Sequence, residues 1–361
     1  MFVDSQFIRE VITTNPSKPP SIILYTDQQM TMFKSAVASG SVIGVDRTFN
    51  LSSCYLTPIC FQNFSLVNKS STTPPVMLGP TLLHWDGSFD SYHRFLSHLQ
   101  SKLVDTDQSK LFFGSDEEFA AVKALNLCFP RATRVLCAKH LKDNAIDNLR
   151  KSLPQPEVTE IVSKLFGPSG ILSSEDQVTF DELRDELTET YDIPYLVDRL
   201  LPNLEKYVFR PRLRHPWLPR LWYNNCSESY NNVIKRSTNW VVQKLPDLIT
   251  KLYDLEQDQS LNVRGALHDT DKYSLAAKAA ILKVSHQTWT QLTPEQRSRR
   301  FLKLLNFIHK QTDCQTSTDG HLTIPTVSRV AQKPGQRKRV KSCKTQSIDS
   351  KKPRLTSIFY L

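Results

Sequence analysis

Three acidic residues raise the first chemical question. Asp46 stands in the apolar stretch "VIGVDRTFN" (42–50), Asp116 follows the apolar run "LFFGS" (111–115), and Glu228 lies in the polar stretch "NNCSESYNNVIKRSTNW" (224–240). A carboxylate at the heart of a buried strand is costly unless it is paired, hydrogen-bonded or bound to a metal. The strand is expected over about 42–49, where side chains alternate between faces, so Arg47 points away from Asp46 and is a poor partner for it. Asp116 has a simpler alternative as a helix N-cap. Glu117 and Glu118 are accounted for as first-turn acids favoured by the helix dipole. Several carboxylates brought together would suit divalent ions, because Mg²⁺ takes hard oxygen ligands and keeps several of its waters.

The elements that must position these residues follow from patterning. Residues 1–40 read as a flanking segment with a short helix over 26–38 capped by Thr26 or Asp27. Three strands follow with short connections, over about 42–49, 53–61 and 76–84, as an antiparallel meander. "SFDSYHRFLSHLQSKL" (88–103) is an amphipathic helix. The short strands near 111–115 and 132–136 are each followed by a helix, which implies parallel pairing. The expectation is therefore an α/β core with a mixed five-stranded sheet flanked by helices, its first part over 41–140. Residues 141–223 read as an all-helical insertion, 224–258 as the final core helices and 259–326 as a helical C-terminal region. The tail, 327–361, is basic, with "KPGQRKRVKSCK" (333–344) and "KKPR" (351–354), and is expected to be solvated and disordered.

Bulk composition narrows the partners. The 361-residue chain carries a formal net charge of +10, which favours an anionic partner, most often nucleic acid. Seven scattered cysteines form no disulfide framework and point to a reducing compartment. No apolar run approaches the roughly 18 residues of a membrane span. The start "MFVDSQFIREV" has no signal-peptide core. The expectation is a soluble, intracellular protein with no membrane partner.

The order of these elements resembles an RNase H-like fold. That fold places one acid on its first strand, one after its fourth and one on a late helix, and together they hold two divalent ions. The stretches "GVDRTFNLSS", "GPTLLHWDGSFDSYHRFLSHL", "FFGSDEEFAAVKALNLCFPRATRVLCAKHLKDN" and "WYNNCSESYNNVIK" are similar to the MULE transposase domain of Mutator-like elements, over about 40–240. The resemblance implies a cut-and-paste DDE transposase acting on DNA in the nucleus. Asp46, Asp116 and Glu228 would be its catalytic and metal-holding triad, with two Mg²⁺ or Mn²⁺ ions, and 141–223 the insertion between the second Asp and the Glu. The family's C-x-x-H motif is matched by Cys137 and His140. A structural zinc there is not expected, because zinc wants four ligands and no second pair is in view.

Residues 231, 232 and 235 follow Glu228 at helical spacing, so Asn231, Asn232 and Lys235 are expected on its face. With Lys139, Lys142 and Arg236 they are the candidate DNA contacts. The family's flanking zinc-finger patterns are not matched. The alternatives are a domesticated, inactive derivative that binds DNA or chromatin, a structure-specific nuclease on the same fold, and a basic scaffold protein. A homo-oligomer fits the usual habit of transposases.

Overall fold

The apolar stretches pair into one mixed sheet in the computed structural model, which describes residues 6–13, 19–309, 315–316 and 322–323. The chain divides into two units, Met1–Gln311 and Thr312–Leu361.

In the first unit, β1 (Ile8–Ile12) and β2 (Ser21–Leu24) precede α1 (Asp27–Ala38). Then come β3 (Val42–Val45), β4 (Tyr55–Gln62), β5 (Leu66–Asn68) and β6 (Val76–His84). α2 (Phe89–Lys102), β7 (Phe112–Ser115), α3 (Phe119–Cys128), β8 (Thr133–Leu136) and α4 (Ala138–Leu149) follow. The sheet has seven strands, not five, in the order β1-β2-β6-β4-β3-β7-β8. The two added strands come from the segment read as flanking. There β1 pairs antiparallel with β2, which pairs antiparallel with the β6 edge. α1 also belongs to the core: its Thr26 cap and Gln29 form a capping box, and its Phe33 is wholly buried.

The rest of the sheet follows the expected plan. β3–β4 and β4–β6 are antiparallel, while β3–β7 and β7–β8 are parallel. Strand alternation feeds two apolar layers. On one face Ile23, Ile43, Ile59 and Phe113 pack with α1, α2 and α3. On the other, Ile22, Leu56 and Cys60 meet α9 (Asn225–Ser237) and α10 (Leu245–Gly265).

Between α4 and α9 the only regular elements are helical. α5 (Gln155–Phe166) and α6 (Gln177–Thr190) lead to a run in which Tyr195–Leu200 and Glu205–Phe209 take π turns and α7 (Leu201–Leu204) and α8 (Arg210–Arg214) take α turns. These helices close their own core around Phe180 and Phe209, stacked at 4.3 Å between centroids. Past α10 the chain is not purely helical: β9 (Tyr273–Leu275) pairs antiparallel with β5 before α11 (His286–Gln291) and α12 (Pro294–Leu305). The second unit contributes β10 (Gln315–Thr316) and β11 (Leu322–Thr323), paired antiparallel. The basic tail lies outside the described residues. No described helix is long and apolar enough to cross a membrane.

The seat of α9 is set by one buried stripe, Ser227, Tyr230, Asn231 and Ile234. This i, i+3, i+4, i+7 spacing turns that face onto the sheet. Burying Tyr230 and Ile234 supplies on the order of 2 kcal/mol each. The helix lies close because β3 offers a glycine. A Cβ on Gly44 would stand 2.5 Å from Ser227 Oγ and 3.1 Å from Asn224 Oδ1. Gly44→Ala is therefore expected to cost about 1–3 kcal/mol in urea unfolding. Adding Ser227→Ala removes the nearest obstacle and should recover a large part of the loss. An equal penalty in both backgrounds would refute the contact.

Candidate active site

Parallel register brings the strand ends level. Ile43 pairs with Phe113 and Gly44 with Gly114, so Asp46 and Asp116 leave β3 and β7 opposite one another. On the other side Ser115 pairs with Leu136, so Cys137 leaves β8 next to Asp116. Three adjacent strands thus end in Asp46, Asp116 and Cys137 at one edge. Glu228 lies one residue beyond the buried Ser227, at the rim of the α9 seat. The three acids line a single open cleft of about 280 Å³, together with Arg47, Phe49, Glu118 and His140.

β3 stops at Val45, so strand alternation does not reach Arg47. Its side chain enters the same cleft and pairs with Glu118 at 3.2 Å. The guanidinium lies 4.9 Å from the centroid of the Phe49 ring and equally far from that of Tyr55. Glu118, set aside at the sequence level as a first-turn acid, also receives the Tyr92 hydroxyl at 2.9 Å. α3 starts at Phe119, with Glu118 at the cap position and no side-chain cap bond there. Asp116 is accordingly not a standard N-cap. Its Oδ1 accepts the Glu118 amide at 3.3 Å, which stiffens the turn that carries both acids.

Charge is unevenly balanced. Burial, and then the charge of Asp116, push the Asp46 carboxyl up to about 6; His140 and the Arg47 amide pull against this, and Glu228 adds to it. The cation facing them is His140. A hydrogen bond with Cys137 raises its pKa to about 9 against the effect of burial, and the charges of Cys137, Asp116 and Asp46 act in the same upward direction. Burial raises the Cys137 thiol, but the His140 hydrogen bonds and the Asn224 amide outweigh it, and the net direction is down. Cys137 Sγ accepts the Asn224 N–H at 3.3 Å, and Asn224 caps α9, so the motif ties α4 to the helix that bears Glu228.

Glu228 is held from the α4 side. Lys139 Nζ reaches its two oxygens at 3.2 and 3.4 Å, and His140 Nε2 stands 3.9 Å from Oε1. Among the described residues no group of three or more His, Cys, Asp or Glu side chains stands in position to hold a metal ion. The donor chemistry of the cleft suits a hard divalent ion, since Asp46, Asp116 and Glu228 offer only oxygens.

The other candidates divide. Asn232, Lys142 and Arg236 are exposed, and Lys235 lies 5.8 Å from the centroid of the Trp240 ring. Asn231 is not on the open face. It sits in the buried stripe three residues from Ile234, 9% exposed, because i+3 from Glu228 turns back toward the sheet. Asn224, which the sequence sets one turn before Glu228, is wholly buried with no hydrogen-bond partner for either side-chain polar atom among the described residues, and this close seat against the sheet is what sequence reasoning missed. The scarcity of glycine was the available signal, since a rare Gly44 mid-strand marks a close approach.

The fold and cleft define an α/β protein with a mixed sheet and an acid-lined cleft at the carboxyl ends of its parallel strands. No protein-family model matches the chain, and no curated protein matches it.

Two measurements check these electrostatics in metal-free buffer. Asp46 keeps its proton to about pH 6 when folded but loses it near a reference value of about 3.9 when unfolded. The folded state binds more protons across that window, so stability falls as pH rises through it. Asp46→Asn should be more stable than the parent above pH 6, by about 1–3 kcal/mol, and show no gain below pH 4. Equal stability at pH 7 would remove the crowding. Separately, Cys137→Ala removes the largest upward cause on His140, and NMR titration should find its pKa well below 9.

Proposed function

We propose that this protein is a Mutator-like DDE transposase with an RNase H-like core, cleaving DNA and joining the freed 3′ hydroxyl to a target in the nucleus. The observation that carries the reading is the shared cleft. Asp46 and Asp116 leave neighbouring parallel strands at one level, and Glu228 faces them from α9. The strand order β6-β4-β3-β7-β8, with acids after the first and fourth of these five strands in sequence, supports an RNase H-like arrangement.

Asp46, Asp116 and Glu228 would hold Mg²⁺ or Mn²⁺. Such ions, when bound, lower the pKa of an attacking oxygen and stabilise a leaving one in phosphodiester displacement. The protein's own groups do the rest. Asp46 must be ionised to serve as a ligand, and a charge at His140 favours that state. Glu228 must leave Lys139 to turn toward the aspartates. Released, Lys139 is free to meet a phosphate, as are Lys142 and Arg236 on the exposed sides of α4 and α9. Arg47 is held off the acids by Glu118 and the two aromatic rings, so it does not neutralise the triad.

One observation favours a second reading, a transposase-derived protein that binds DNA without cutting it. Glu228 is already engaged by Lys139, and no metal-holding group stands assembled among the described residues. The experiment that separates the two uses supercoiled plasmid and purified protein with Mg²⁺ or Mn²⁺. Nicking that needs the ion, and falls at least 100-fold in Asp46→Asn, Asp116→Asn and Glu228→Gln, supports the transposase. Lys139→Ala should then lower the ion concentration needed. Salt-sensitive DNA binding indifferent to chelator and to all three substitutions, with no nicking, supports the second reading. Nicking intact in Asp46→Asn would sink the first.

A further inference from the structure

The loop 116–118 has two sides. Asp116 and Glu118 line the acid cleft, while Glu117 lines a different cavity of about 600 Å³ between α3, β8 and the helical run 195–214. That volume falls in the range of small-ligand sites. Nothing in the catalytic reading uses it.

Its chemistry is specific. Arg134, on the edge strand β8, is only 9% exposed. Its guanidinium lies 3.7 Å over the Tyr207 ring, Nη1 donates to Asn126 Oδ1 at 3.3 Å, and Nε has no partner. Glu117 acts on Arg134 through charge but forms no ion pair with it; a buried arginine so weakly compensated is expensive, and an anion arriving in the cavity would offset that cost. Arg199 also lines the cavity, and its side chain makes no hydrogen bond or ion pair with another described residue. Lys123 lines it too, with Nζ 4.9 Å from the Phe89 ring centroid. The one acid is Glu117, and both of its oxygens are taken, by Asn203 at 2.8 Å and Asn144 at 3.1 Å. Three cations against one engaged carboxylate leave the cavity positive.

An anion alone does not explain the remaining wall. Phe119 is 78% exposed at the start of α3, beside the cations. A flat apolar ring left open next to guanidinium groups suits a ligand with both a phosphate and a planar ring. The amides of Asn126 and Asn203 at the same wall offer donors and acceptors to a ring edge. Interleaved aromatics and cations are how unpaired nucleotides are held: bases stack and phosphates meet the charges.

We propose that this cavity binds a single unpaired nucleotide of a DNA strand, with its phosphate at Arg134, Arg199 and Lys123 and its base against Phe119. The site rests on the reading of DNA as partner only for the source of the nucleotide, and it needs neither metal nor cleavage.

The test therefore runs in chelator, with intact full-length protein and a fluorescent 12-nucleotide single strand, read by anisotropy. Phe119 and Arg199 are exposed, so Phe119→Ala and Arg199→Ala should keep the native circular dichroism spectrum. Phe119→Ala should weaken binding about 10-fold, within the range for one stacked base. Arg199→Ala should also lower the slope of log affinity against log salt by about 0.7. Arg134→Lys keeps the charge but loses the fork and the stack, and should behave like Phe119→Ala. A blunt duplex of the same sequence should be indifferent to Phe119→Ala. A mononucleotide that competes as well as the strand would keep the nucleotide site and change its source to a free nucleotide. Wild-type affinity in both Phe119→Ala and Arg199→Ala overturns the proposal, as does equal weakening on duplex. Nicking assays on the same variants read the catalytic proposal separately, since loss of metal-dependent cleavage leaves this binding measurement untouched.

Discussion

The parallel register of β3, β7 and β8 is the constraint on which the site depends. Backbone pairing alone makes three neighbouring strands stop at the same level, and whatever residue follows each strand must share one edge of the sheet. Here those residues are Asp46, Asp116 and Cys137. The two aspartates are brought together by ladder geometry, and their mutual repulsion is overcome by the burial of Ile43, Phe113 and Val135 behind them. Apolar burial at about 25 cal/mol per Å² supplies enough to hold like charges near each other. Burial first, and the charge of Asp116 second, leave a carboxyl on Asp46 that resists ionisation.

A second constraint places the third acid. α9 approaches β3 at Gly44 more closely than any side chain there would permit, and its buried stripe fixes the helix's rotation. Glu228 is then carried to the rim, where α4 competes for it. Lys139 and His140 come from the first turn of α4, whose cap residue Cys137 is the same residue that follows β8. The strand that aligns the acids thus also delivers the cations that balance them. The contact between Cys137 Sγ and the Asn224 amide closes the circuit by joining α4's start to α9's start.

Most of the framework was legible in the sequence because it rests on local signals. The strands at 42–45, 55–62, 112–115 and 133–136 carry β-branched or aromatic residues, 76–84 is an apolar run, and the Thr26 capping box is a four-residue pattern. The N-terminal strands were not, because "IREVI" and "SIIL" are short segments whose role is decided by a distant partner: β2 pairs with β6, and β1 adds to β2 at the edge. β5 and β9 failed for the same reason, being three-residue strands some 200 positions apart. In the site, Asp46 stood out as a strand carboxylate with no local partner, while Asp116 had an N-cap alternative and Glu228 entered through the resemblance; all three line one cleft. Arg47 pairs with Glu118 and not with Asp46, as expected, but its side chain enters the same cleft because the strand ends at Val45, two residues before it. Asn231 was misjudged because a three-residue step differs from a full turn by about 60°, enough to carry it from rim to core.

The loop 116–118 shows how one turn can serve two environments. Successive side chains in a non-helical turn point in different directions, so Asp116 and Glu118 reach the sheet edge while Glu117 faces the helical insertion. Two amides from that insertion and α4, Asn203 and Asn144, hold Glu117. Arg47 and Tyr92 hold Glu118 from the sheet and α2. The loop is therefore clamped from both sides, and a shift of the insertion that pulled on Glu117 would be felt at Asp116, one peptide away. Glu117 at the cavity and Asp116 at the cleft are thus neighbours on one clamped turn, and the two environments share its backbone.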